Sequence, residues 1–189
     1  MTTLLKSSVI PRVCVCCQPR SGSSMVMRML SFGGLIVRND DYLNIKEALE
    51  TYRNPYGFFE DERVANRTDG CTKLMSVCML QGTQGMKLIY LQRSIKEMQS
   101  SWDDIYTREM FLGIKTLKRN VTEVVAPDDW DKVFTGRNDI LRLEYNAICK
   151  DPLMAAKQIA DFINTDDFKF NYIKASTAVD SSLYIDRRK

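Results

Sequence analysis

The stretch Arg12–Ser24, RVCVCCQPRSGSS, is where the fold is read from. Its first seven residues, Arg12–Gln18, are a short run of mostly apolar, β-branched and small side chains bounded by Pro11 and Pro19, and they predict a buried strand. Pro19–Ser24 has the composition of a turn. From Met25 to Phe32 apolar residues recur at helical spacing, and Gly33-Gly34 marks the stop. The first unit is thus strand, polar glycine-containing loop, helix. The N-terminus of such a helix carries unpaired N–H groups and about half a positive charge, which suits an anion. Gly22 lets the backbone approach closely, Ser21, Ser23 and Ser24 supply hydroxyls, and Arg20 supplies a guanidinium fork. The loop reads as a phosphate site. It is not the nucleoside-triphosphate P-loop, which needs Gly, four residues, then Gly-Lys-Ser/Thr. Aligned on Gly22, Ser23 stands where the lysine belongs and Cys17 where the first glycine belongs.

Downstream, strands and helices alternate. An apparent second strand follows the first helix, ahead of Asp40 and Asp41, and the stretch Asn39–Asp69 is polar and punctuated by a turn at Asn54-Pro55-Tyr56-Gly57. Thr72–Cys78 is a short strand or helix. Met86–Leu91 (MKLIYL) is a clear strand, followed by a helix from Ser94 to about Tyr106. Ile140–Leu143 is a further strand, and Asp151-Pro152 opens a helix to about Ile163, with Asp as cap and Pro early. This alternation predicts an α/β fold with a mainly parallel central sheet, its strand C-termini and their loops on one edge.

Composition narrows the chemistry. The 189 residues, 44% hydrophobic and 27% charged, describe one globular domain whose core needs no disulfide or metal. There is no histidine, which excludes Ser-His-Asp and Cys-His systems, HExxH zinc sites and any histidine base. The net charge of +3 gives no reason to expect a nucleic-acid partner. Six cysteines without CxxC pairs read as core residues of a reduced, cytoplasmic protein, with no metal expected. No apolar run is long enough for a membrane span.

A second anion motif follows the strand at 86–91. It ends in Gln92-Arg93, and Ser101 lies eight residues beyond Arg93 on the next helix. Two helical turns bring the hydroxyl back toward the arginine's side, and a fork plus a hydroxyl makes a phosphate grip. Taken together, Gln18-Pro-Arg-Ser-Gly-Ser-Ser and Arg93 with Ser101 resemble the two phosphate motifs of the sulfotransferase family. Asn54-Pro-Tyr-Gly-Phe-Phe-Glu60 and Leu143-Glu-Tyr-Asn with Asp151-Pro152 resemble segments of its bacterial and phage-type members. The similarity spans most of residues 12–165 and leaves 166–189 as a tail. It implies a P-loop NTPase-like, three-layer sulfotransferase fold.

It also implies an activity: transfer of a sulfuryl group from 3′-phosphoadenosine 5′-phosphosulfate (PAPS) to a hydroxyl or amine, releasing 3′-phosphoadenosine 5′-phosphate (PAP). By that resemblance Arg20 and Ser21–Ser24 hold the 5′-phosphosulfate, and Arg93 and Ser101 hold the 3′-phosphate. The Gly-x-x-Gly-x-x-Lys loop of larger cytosolic members is absent; Leu183, Tyr184, Arg187, Arg188 and Lys189 are the stand-ins by position. Without histidine, the expected base is Glu60, desolvated by Phe58 and Phe59, with Asp40 and Asp41 next. Arg20 also counts as catalytic, neutralising the leaving phosphate, and Lys73 is either a further electrostatic contributor or a strand residue with its head in solvent. The rival readings are a 3′,5′-bisphosphate-binding protein without catalysis and a P-loop kinase or hydrolase. The acceptor and the oligomeric state are not readable.

Overall fold

Five consecutive side chains with no solvent contact, Val13–Cys17, place the first strand at the centre of a sheet rather than at its rim. The structure, a computed structural model, describes residues 10–38, 68–74, 83–111 and 134–180. In chain order these contain β1 (Arg12–Cys17), α1 (Ser23–Phe32), β2 (Gly70–Leu74), β3 (Lys87–Gln92), α2 (Ile95–Phe111), β4 (Ile140–Glu144), α3 (Tyr145–Lys150), α4 (Pro152–Ile163) and α5 (Tyr172–Ser176). The four strands form one sheet in the order β2-β1-β3-β4. Every pairing is parallel, with Arg12 opposite Gly70, Val13 opposite Lys87, and Leu88 opposite Ile140. A parallel strand covered on both faces reads as a continuous apolar run, which is why RVCVCC and KLIYLQ were recognisable as strands.

The two faces of the sheet separate cleanly by parity. Val13, Val15 and Cys17 share one cluster with Ile89, Leu91 and Leu143, with Met25, Val26, Met29 and Leu30 of α1, and with Ala156, Ile159 and Ile163 of α4. Cys14 and Cys16 point the other way, among Leu74, Leu88, Tyr90 and Phe134; the Tyr90 and Phe134 rings lie 5.2 Å apart, centre to centre. The cysteines of β1 and Met25, Met27 and Met29 are core, as expected.

Several elements differ from the sequence reading. The segment 35–37 makes no strand; Val37 forms one parallel bridge to Cys71, flanked by Cys71 N–H to Ile36 O and Arg38 N–H to Cys71 O, both 2.8 Å. Of Thr72–Cys78, the described part belongs to β2, a strand that begins at Gly70. Helix α2 runs five residues past Tyr106, to Phe111. The short α3 and α5 were not anticipated.

Termini are specified locally. Helix α1 ends in a Schellman arrangement, with Leu35 N–H donating to Leu30 O (3.0 Å) and Gly34 N–H to Ser31 O (3.1 Å); Gly34 takes φ 107°. Asp151 caps α4, its carboxylate accepting from Met154 N–H at 2.9 Å, with Pro152 in the first turn. Among the described residues no helix is long and apolar enough to cross a membrane.

Candidate functional site

In an open parallel sheet, ligands bind at the C-terminal edge where successive connections leave in opposite directions. Here the chain leaves β1 for β2 on one side, while β3 lies on the other, so that point falls between β1 and β3. Two loops emerge there: Gln18–Gly22 after β1 and Arg93-Ser94 after β3.

The first loop is wound tightly. Ser21 donates both N–H and Oγ–H to Gln18 O, at 3.2 and 2.7 Å. Arg20 adopts φ 67° and Gly22 φ 98°, so two left-handed residues turn the strand into α1. Gly22, at the N-cap, has no side chain to cap α1; its carbonyl accepts from Met25 N–H at 2.9 Å. The dipole of a ten-residue helix is therefore aimed out of this loop. A Cβ on Gly22 would overlap the Tyr145 ring, so glycine is required here for space as well as for conformation.

The second motif meets the first. Arg20 Nε donates to Ser101 Oγ at 3.2 Å, and Arg93 Nη1 donates to the Arg20 carbonyl at 3.0 Å. The contacts join residues 81 and 73 positions apart. Arg20, Ser21, Gly22, Ser23, Ser24, Arg93 and Ser101 thus form one neighbourhood, with Ser21, Ser23 and Ser101 buried and Gly22 and Ser24 half-buried.

Arg93 is buried, its side chain only 5% exposed, and is held on three sides. Its guanidinium lies 3.8 Å over the Tyr145 ring. Glu97, one turn along α2, faces Arg93 Nε across 3.8 Å, an ionic contact too long for a hydrogen bond. Glu97 in turn accepts from Asn146 Nδ2 at 3.1 and 3.3 Å and from Ser94 Oγ at 3.0 Å. Ser94 Oγ also accepts from Glu97 N–H at 3.3 Å, which starts α2 in the manner of a capping box. Tyr145, Asn146 and Glu97 were missed as site residues. A Ser-x-x-Glu signal at 94–97 was available for Glu97; Tyr145 and Asn146 carried only the β4-end resemblance.

Beside this cluster lies a cavity of about 350 Å³. Gln18, Gln92, Arg93, Glu144, Tyr145 and Asn146 are among its walls, so it opens at the C-terminal ends of β1, β3 and β4. Its chemistry is amide, aromatic, cationic and carboxylate together, suited to a polar molecule.

No protein-family model matches the chain, and no curated protein matches it. Function is therefore read from the loop, Arg93 and their neighbours. Lys73 is buried within β2, in register with Val15, rather than held out in solvent. The expected base Glu60, its alternatives Asp40 and Asp41, the segment Asn54–Glu60 and the tail residues Leu183, Tyr184, Arg187, Arg188 and Lys189 lie outside the described residues.

Proposed function

We propose that this protein is a PAPS-dependent sulfotransferase, transferring a sulfuryl group to a hydroxyl or amine acceptor. The observation that carries the reading is the meeting of Arg20, Arg93 and Ser101 beside the start of α1. The two phosphate motifs arise far apart in the sequence and converge at the edge where a parallel sheet binds ligands. The buried apolar surfaces on both sheet faces are consistent with the three-layer, P-loop-like sulfotransferase fold that the reading requires.

In the reaction, the acceptor oxygen or nitrogen attacks sulfur and the bond from sulfur to the 5′-phosphate oxygen breaks. The electron pair leaves on PAP, and the acceptor's proton passes to a base. The chain's part is positioning and charge stabilisation. The N–H groups of α1, with Arg20, Ser23 and Ser24, meet the 5′-phosphosulfate and the charge that grows on the leaving oxygen, while Ser21, whose N–H and Oγ–H both go to Gln18 O, holds the loop in shape around it. Arg93 and Ser101 take the 3′-phosphate. Glu60 takes the proton. Glu97 is unsuited to that task, because Asn146 and Ser94 occupy its oxygens and Arg93 lies against it. This arrangement of Glu97 is also what favours the second reading, bisphosphate binding without transfer.

Titration calorimetry with PAP and with ATP tests the binding step. PAP is expected to bind more tightly than ATP with magnesium, and Arg20→Ala or Arg93→Ala to weaken it about tenfold or more, the worth of one charge-assisted contact. ATP preference with magnesium would discard both readings in favour of a kinase or hydrolase. Turnover of labelled PAPS over a panel of hydroxyl and amine acceptors separates transfer from binding alone. Undiminished turnover in Glu60→Gln would remove the base assignment.

A further inference from the structure

We propose that Glu97 is a positioning residue for the phosphate loop, acting through Arg93 on the backbone at Arg20. The proposal rests on the sulfotransferase reading only for its ligand. A non-glycine residue held at φ 67°, as Arg20 is, costs on the order of 1 kcal/mol and persists only where its surroundings enforce it. Among the contacts that hold it there is the hydrogen bond from Arg93 Nη1 to the Arg20 carbonyl.

That bond depends on where the guanidinium is held. Tyr145 supports its flat face at 3.8 Å, and the Glu97 carboxylate stands 3.8 Å from Nε on its edge. Glu97 is fixed in turn by Asn146 and Ser94, and its side chain is 4% exposed. The order of action is Asn146 to Glu97 to Arg93 to the Arg20 carbonyl. Because Tyr145 also fills the space over Gly22, the β4–α3 corner supports the loop from two directions. A buried charge with one partner removed is costly, so loss of the Glu97 charge is expected to release Arg93 toward water and free the loop. Glu97 touches no reacting atom in this scheme.

Amide hydrogen exchange on the full chain, read by NMR, tests this with and without PAP. The informative amides are Ser21 and Met25, whose N–H groups close the loop onto Gln18 O and Gly22 O. Glu97→Gln is expected to speed their exchange about tenfold and to weaken PAP binding by a similar factor. Exchange in α4 should stay unchanged, and Glu97→Asp should recover part of both effects.

Asn146→Ala removes the support without touching the Ser94 cap, and is expected to shift the same amides in the same direction by a smaller factor. It carries the test if Glu97→Gln does not fold. Wild-type exchange at Ser21 and Met25 in these variants would overturn the proposal. So would equal acceleration in α4, the mark of general destabilisation. Faster loop exchange in the variants, with no PAP binding by the wild type, would support the role of Glu97 and discard the sulfotransferase reading.

Discussion

Gly22 and Gly34 both hold left-handed backbone, at φ 98° and 107°, yet their surroundings differ. A Cβ at Gly34 would meet open space, whereas one at Gly22 would run into the Tyr145 ring. Gly34→Ala should therefore cost backbone strain alone, about 1 kcal/mol. Gly22→Ala adds overpacking to that strain, about 2 kcal/mol or more in total. Urea denaturation of the two variants measures the difference, and equal losses would show that Tyr145 yields easily. Gly22→Ala is also expected to abolish PAP binding, because displacing Tyr145 removes the surface under Arg93. At this scale the loop itself was legible, since the glycine, the serines and Arg20 stand together in PRSGSS. Its supports were less so: Glu97 is tied to Arg93 and Ser94 by local spacing, but that group, with Tyr145 and Asn146, reaches the loop only through the order of the strands, which no local spacing encodes.

Helix ends show how far local signals reach. Asp151 and Pro152 announced α4, and Asp151 does accept from Met154 N–H. Asp151→Ala should lower stability by about 1 kcal/mol, seen as an earlier midpoint in thermal unfolding, with PAP affinity unchanged. The five-residue α5 also has a cap, Asn171 accepting from Lys174 N–H at 2.9 Å, but one turn is too short for the hydrophobic periodicity that would mark a helix behind it. It forms because Phe170 packs where Gly33 has no side chain and Asn171 N–H donates to Gly33 O at 3.0 Å. The same limit explains α3, six residues directly after β4. At 35–37 the error ran the other way: the apparent second strand there meets β2 at one bridge. The central strands were legible because burial on both faces leaves an apolar run with no alternation to misread.

Across the whole molecule, the buried thiols link stability to alkaline pH. Burial pushes the Cys71 thiol far above its ordinary value of 9.0. The hydrogen bond to Cys14, followed by burial, pushes Cys16 up as well. In the folded protein both stay protonated, whereas in the unfolded chain they ionise near their ordinary value. Their contribution is therefore complete below about pH 9 and is lost progressively above it. The thermal midpoint should fall between pH 8 and pH 10.5, and Cys71→Ala should make that fall shallower. A slope unchanged by the substitution would assign the loss to other groups. The sheet has a kinetic corollary. β1 completes its pairing only when Gly70–Leu74 and Lys87–Gln92 have both arrived, each in parallel register and each from far along the chain. Loops of that length must close before any ladder stabilises the product, which places refolding on the slow side, about milliseconds to seconds. Until then RVCVCC is an uncovered apolar strand with two open edges. Refolding yield should therefore fall as protein concentration rises, through association of chains whose first strand is still waiting for its neighbours.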